Sequence, residues 1–168
     1  MTTQLIVSVL GPEQEGFIHQ LTLKTRALGG RWLANKLTHL DGQMAALLKV
    51  EIALDQIEPF KAMVLEQDGY IATFHDVHDN AATVSALVKL TIEGEDRTGL
   101  TSDITNLLFQ QQIQVDHFES QRYPVIGLPT GVFEANLTLK LPEHLSIDAL
   151  KAELETLSGR LRVFVLDN

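Results

Sequence analysis

The sequence predicts an α+β chain made of two copies of one β-α-β-β-α-β unit, and three observations carry that prediction. The first is a turn written twice. Leu90-Thr91-Ile92-Glu93-Gly94-Glu95-Asp96-Arg97-Thr98-Gly99-Leu100 reads as a strand that stops at a glycine, crosses four polar residues and restarts as a helix after a second glycine. Val7-Ser8-Val9-Leu10-Gly11-Pro12-Glu13-Gln14-Glu15-Gly16-Phe17 repeats the layout 83 residues earlier, the interval from Gly11 to Gly94. The second observation is that apolar periodicity switches between strand and helix spacing in the same order in both halves. The third is punctuation: glycines follow the helical stretches, and Asp41-Gly42 is a strong hairpin signal.

Taken in order, Leu5–Leu10 is a short apolar run ended by Gly11-Pro12, which suits a buried strand. Phe17, Ile18, Leu21 and Leu28 recur at helical spacing before Gly29-Gly30. Arg31–Leu40 and the alternating Met44, Ala46, Leu48, Val50, Ile52 and Leu54 form a hairpin about Asp41-Gly42. Ile57, Phe60 and Val64 mark a second amphipathic helix, stopped at Gly69, and Ile71–His75 closes the unit. In the second half Val88, Leu90 and Ile92 form the strand, and Leu100, Ile104, Leu107 and Leu108 the apolar face of the helix. Ile113–Ser120 and Phe133–Leu141 are the hairpin strands. Ser146 is an N-cap for a helix carrying Ile147, Leu150, Leu154 and Leu157, and Leu161–Leu166 is the closing strand.

The repeat interval grows to 90 at Gly69 and Gly159, so about seven residues are inserted in the second copy. They fall in the hairpin connection, Arg122–Gly131. Such a β-α-β-β-α-β order gives a ferredoxin-like, four-stranded antiparallel sheet with both helices on one face. The expected domains are 1–80 and 86–168, with a linker at 76–86. Each copy of about 80 residues is near the lower size limit for a stable domain.

Composition narrows the function. The chain carries 13 Lys+Arg against 22 Asp+Glu, a formal net charge of −9, with no basic run to track phosphates, so direct nucleic-acid binding is disfavoured. With no cysteine there are no disulfides, thiolate metal sites or cysteine nucleophiles, a composition compatible with a reducing, cytoplasmic setting. The N-terminus lacks a basic n-region, and no segment approaches the roughly 20 apolar residues that span a bilayer, so no membrane association is expected. No Gly-x-Ser-x-Gly, P-loop or His-Glu-x-x-His occurs, so the chain is expected to be no enzyme and to need no cofactor. His75-Asp76-Val77-His78-Asp79 is the best metal-like cluster, but it lies in the expected linker, far in sequence from His117 and His144. Zinc needs three or four ligands in a fixed shell, so a hydrated linker is the reading taken and no metal site is expected.

On the repeat and its turn, the chain resembles tandem ACT-domain proteins, most of all the glycine cleavage system transcriptional repressor group, which has two ACT copies and no catalytic domain. The sharpest match is Gly94-Glu95-Asp96-Arg97-Thr98-Gly99-Leu100, which has the family's Asp-Arg-x-Gly-Leu turn. Gly11-Pro12-Glu13-Gln14-Glu15-Gly16-Phe17 keeps both glycines and the apolar residue but lacks Asp-Arg. The resemblance implies an amino acid bound between copies, glycine or serine, and a protein partner such as a transcriptional activator. It also leaves open a plain interaction module without ligand, or a regulatory subunit of an amino-acid enzyme. Two copies either satisfy one another or leave strand edges for a homodimer.

The candidate ligand-binding residues are Gly94, Asp96, Arg97, Thr98, Gly99 and Leu100 in the second copy, and Gly11, Gly16, Phe17 and Asn35 in the first. As pure structure, Gly94–Leu100 is a turn in which Asp96 caps the following helix. As a site, it offers the N–H groups of Thr98, Gly99 and Leu100 to a carboxylate, with Arg97 as a further anion partner. A helix N-terminus contributes only about 0.3–1 kcal/mol to a surface charge. Millimolar binding needs roughly 4 kcal/mol, so other contacts are required. Trp32 aligns with Val115 and reads as core. Asn35, toward the end of Arg31–Lys36, has an amide able to hold both ends of an amino acid, with surface duty an equal alternative. Val125, Ile126 and Leu128, set between prolines in the inserted connection, either fold back or form a partner patch.

Overall fold

The computed structural model describes residues 1–77 and 87–166. The chain divides into two compact units, Met1–Ala81 and Ala82–Asn168. Residues 78–86, which hold most of the expected linker together with His78 and Asp79, lie outside the described residues.

Unit one runs β1 (Thr2–Pro12), α1 (Phe17–Ala27), β2 (Arg31–Leu40), β3 (Gln43–Ala53), a 3-10 turn (Leu54–Gln56), α2 (Ile57–Leu65) and β4 (Ile71–Asp76). Unit two runs β5 (Leu87–Glu95), α3 (Leu100–Gln110), β6 (Gln114–Val125), β7 (Leu128–Lys140), α4 (Ile147–Thr156) and β8 (Arg162–Leu166). The sheets have the orders β2-β3-β1-β4 and β6-β7-β5-β8, every neighbour antiparallel. Both are the ferredoxin-like arrangement expected from the element order.

Alternation explains each core. Leu5, Val7 and Val9 on β1 and Met44, Ala46, Leu48, Val50 and Ile52 on β3 share the buried face. That face packs on Phe17 and Leu21 of α1 and on Phe60 and Val64 of α2. In unit two Leu90, Ile92, Phe133, Ala135, Leu137 and Leu139 pack on Leu100, Ile104 and Leu108 of α3 and on Leu150 and Leu154 of α4. A side-chain period of two gives each strand one apolar face for one helical layer. Trp32 is half-buried against the core of unit one, where its indole N–H donates to the buried Thr25 Oγ1 at 3.3 Å.

The register refines the insertion. Val7 faces Leu48 and Leu90 faces Leu137, so β3 and β7 are 89 residues apart, while β1 and β5 are 83 apart. Most of the extra chain therefore lies in the β6–β7 hairpin. The connection between Ser120 and Phe133 is exposed, as the sequence suggested, but most of it is added strand rather than loop. Unit one turns at Asp41-Gly42, both at positive φ, which is the type I′ geometry. Unit two passes the equivalent position at Gly131, whose φ is 74°, and runs on to a two-residue turn at Ile126-Gly127. Ile126 at that tip is fully exposed, with Tyr123 and Val125 partly so.

Candidate functional site

The two strand-to-helix turns have the same backbone. In unit two the Asp96 N–H donates to Gly131 O (3.0 Å), Leu100 N–H to Arg97 O (3.3 Å) and Asp103 N–H to Gly99 O (2.9 Å). In unit one Glu13 N–H donates to Gly42 O (2.8 Å), Phe17 N–H to Gln14 O (3.2 Å) and Gln20 N–H to Gly16 O (2.9 Å). Gly99 and Gly16 are the residues before each helix, at φ 82° and 77°, in the left-handed region that favours glycine. No side chain caps either helix. Asp96 sits three residues before the cap position and does not cap α3, contrary to the turn-only reading. The Leu100 N–H is taken by Arg97 O, so of the three amides expected to be free only those of Thr98 and Gly99 lack a partner among the described residues.

The side chains at the second turn form two ion pairs. Arg97 donates through Nη2 to Asp103 Oδ2 at 2.5 Å and to Leu157 O at 2.9 Å, tying the start of α3 to the end of α4. Part of its donor capacity is thus already engaged within the chain, while the side chain stays partly exposed. Arg122, reaching from β6, meets both oxygens of Asp96 at 3.1 and 3.2 Å and donates to Thr101 Oγ1 at 3.0 Å. Its guanidinium lies 5.2 Å from the Phe133 ring centroid, a cation–π geometry. Behind the turn, Glu95 accepts from Thr130 Oγ1 at 2.8 Å and is ion-paired to Arg160. The Thr130 hydroxyl holds the Glu95 carboxyl below its usual range; burial opposes it next in size, and the hydrogen bond and charge of Arg160 add to the lowering. Gly94 is required by close approach, since a Cβ there would stand 2.7 Å from Arg160 O.

The first turn is filled differently. Phe17 stacks on Tyr70 with ring centroids 3.7 Å apart and planes 8° from parallel. The Tyr70 hydroxyl donates to Pro12 O at 2.8 Å, and its ring lies against Gly11. Burial pushes the Tyr70 phenol upward from its ordinary value. Gly11, Gly16 and Phe17 are therefore gathered at one turn. Asn35 is not, since it sits mid-way along edge strand β2 opposite Leu48, which in turn faces Val7, four residues and two strands from Gly11. His75 and Asp76 belong to β4, where His75 Nε2 is 3.3 Å from Thr73 Oγ1.

Sequence reasoning passed over Arg122, Thr101 and Tyr70. The signal for Arg122 is its cross-strand position opposite Phe133, legible only once the β6–β7 register is known. Chemically the second turn can hold a small anion: two unpartnered N–H groups at a helix start, a hydroxyl, and the remaining donors of Arg122. Its two arginines and two aspartates cancel in charge, so attraction rests on the helix end and on hydrogen bonds.

Two units of the same build, each entered through a glycine-capped strand-to-helix turn, make this a tandem ferredoxin-like fold. No family model matches the chain, and no curated protein matches it. Among solved structures, an unknown protein from Galdieria sulphuraria superposes with a TM-score of 0.86 at 15% identity, covering 98% of this chain and 98% of that one. A "putative glycine cleavage system transcriptional repressor" superposes with a TM-score of 0.71 at 15% identity, covering 100% of this chain and 99% of that one. At that identity the likeness is one of fold, and it extends over both units. Among the described residues no helix is long and apolar enough to cross a membrane.

Proposed function

We propose that this chain is a non-enzymatic, amino-acid-responsive regulator that modulates a transcription factor of glycine or one-carbon metabolism through protein contact. The observation that carries the reading is the head of α3, where the Thr98 and Gly99 amides are unpartnered and the flanking Asp96 and Thr101 are both bonded to Arg122. These groups suit the carboxylate of a small amino acid, and glycine or serine asks least of the surrounding space. The full-length likeness to the repressor-type structure supports a regulatory role over catalysis. The net charge of −9 favours a protein partner over DNA, and a cytoplasmic setting accords with the absence of cysteine. The domains are taken as 1–80 and 86–168, and an edge-to-edge homodimer fits the two-sheet plan.

Thermal denaturation with each of the twenty amino acids tests the ligand. Glycine or serine should raise the melting temperature, and Arg122→Gln should abolish the rise; no shift from any amino acid at many millimolar overturns this part. Retardation of promoter DNA by the protein alone at physiological salt overturns the protein-contact route. A second reading, an interaction module without ligand, draws on the prior pairing of Arg97 with Asp103 and of Arg122 with Asp96. It predicts a partner whose affinity ignores amino acids.

A further inference from the structure

The open face of the second sheet carries charged groups that the turn does not use. Glu93 of β5 faces Arg162 of β8 on one side and Glu134 of β7 on the other, so the three side chains leave the sheet on its helix-free face. Opposite charges side by side on neighbouring strands ordinarily pair. Among the described residues, however, neither Glu93 nor Arg162 is ion-paired, and the Arg162 side chain donates only to Leu161 O, at 3.1 Å. Glu95, two residues along β5 from Glu93, does pair with Arg160, which lies just before β8. Beside the unpaired groups lies an open depression of about 390 Å³, walled by Leu128 and Val132 of the extended hairpin and by Phe164 of β8. The corresponding position of unit one has no such charges, since Leu10 there faces Ile71.

The geometry points to a second ligand site in this depression, for a zwitterionic amino acid with an apolar side chain. The ligand carboxylate meets the Arg162 guanidinium, and its ammonium meets Glu93 with Glu134 behind. The side chain lies along Phe164, Val132 and Leu128. Two carboxylates against one guanidinium leave the cluster short of one positive charge, which an ammonium supplies and a simple anion does not. The hairpin extension contributes one wall, so the site belongs to unit two alone. It lies on the sheet face away from the helices and shares β5 and the β6–β7 hairpin with the turn at α3.

Titration of the full chain with L-phenylalanine, followed by amide NMR, tests this. Shifts are expected at Glu93–Glu95 and Arg162–Phe164. Arg162→Gln and Glu93→Gln should each weaken binding about tenfold, as should N-acetylphenylalanine and phenylalanine amide in place of the zwitterion. Both residues are exposed strand positions, so the variants should keep the native amide spectrum elsewhere. The site is overturned by the absence of shifts up to the solubility limit, by equal binding of the singly charged analogues, or by insensitivity to Arg162→Gln. Shifts confined to Thr98–Thr101 would overturn it while leaving the α3 turn standing as the ligand site. A glycine response that survives Arg162→Gln but is lost in Arg122→Gln would separate the two sites.

Discussion

The turns at Gly11–Phe17 and Gly94–Leu100 share their three backbone hydrogen bonds and their left-handed glycine, yet almost nothing else. Unit one seals its turn with an aromatic lock, Phe17 on Tyr70, fastened by the Tyr70 hydroxyl to Pro12 O. In unit two the same places in the register are taken by Leu100 and Leu161, both fully buried. The outside of that turn is left to Arg97, Arg122, Asp96 and Asp103. Glycine spacing thus specifies the backbone, and the side chains then decide whether a turn is closed or remains accessible to polar ligands. The asymmetry is what makes the second turn the better candidate.

The largest effect that would break this comparison concerns the first glycine of each turn. At Gly94 a Cβ would meet main chain, 2.7 Å from Arg160 O and 3.0 Å from Leu161 Cα. At Gly11 it would meet a ring, 2.3 Å from Tyr70 Cδ1, which can give way only by leaving its stack on Phe17 and its bond to Pro12 O. Gly94→Ala should therefore cost unit two about 3 kcal/mol, the upper end for overpacking, against about 1–2 kcal/mol for Gly11→Ala in unit one. In a Tyr70→Ala background the cost of Gly11→Ala should vanish, a non-additivity diagnostic of contact. The single tryptophan, Trp32, lies in unit one, so its fluorescence follows that unit in urea while amide exchange follows the other. Equal costs in the two units would sink the distinction.

Next in size is the Arg97 tie. Arg97→Met removes both the Asp103 pair and the bond to Leu157 O, and should cost unit two about 1 kcal/mol, because the pair is partly exposed. Gln14 holds the same place in unit one, and Gln14→Met should be neutral within error. If Arg97→Met instead leaves stability unchanged but abolishes an amino-acid response, Arg97 is a ligand group and not a strut.

Both units were legible in sequence because their signals are local. Glycines at fixed spacing mark the turns, period-two runs mark β1, β3, β5 and β7, and Ser146 caps α4 by accepting from Ala149 N–H at 3.2 Å, as expected. What stayed hidden depends on pairing between distant residues. The length of the β6–β7 hairpin follows from which residue faces which, not from the prolines within it. The Arg122–Asp96 pair and the Tyr70–Phe17 stack bring together residues 26 and 53 positions apart. The tie from Arg97 ends on a main-chain carbonyl, which no side-chain pattern can announce.

A smaller effect, of opposite sign, arises where the first helix of each unit ends. Gly29 and Gln112 occupy equivalent places after α1 and α3, and both adopt positive φ, 72° and 56°. A side chain in that region costs about 1–2 kcal/mol. Gln112→Gly should therefore stabilise unit two by about 1 kcal/mol after the added backbone freedom of the unfolded chain is counted. Gly29→Gln should cost unit one a similar amount. Failure of either change to move its own unit would mean that the helix ends relax out of the left-handed region in solution.

The smallest and most specific difference is acid sensitivity. Glu95 occupies the place of Pro12, so only unit two has a carboxylate joining this strand to the hairpin, through the Thr130 hydroxyl and to Arg160. Its folded pKa lies below the ordinary glutamate value of 4.5, so the native state binds the proton less readily than the unfolded chain does. The attachment is thus at full strength above that value and is lost as pH falls through the lowered folded one. Amide exchange at Thr130 and Gly131 should consequently accelerate in that window, over and above the intrinsic pH dependence, while the equivalent turn at Asp41-Gly42 should show no such excess. Glu95→Gln should remove the excess and leave exchange at the Ile126-Gly127 tip unaltered. An acid response that persists in Glu95→Gln would place its origin in another carboxylate.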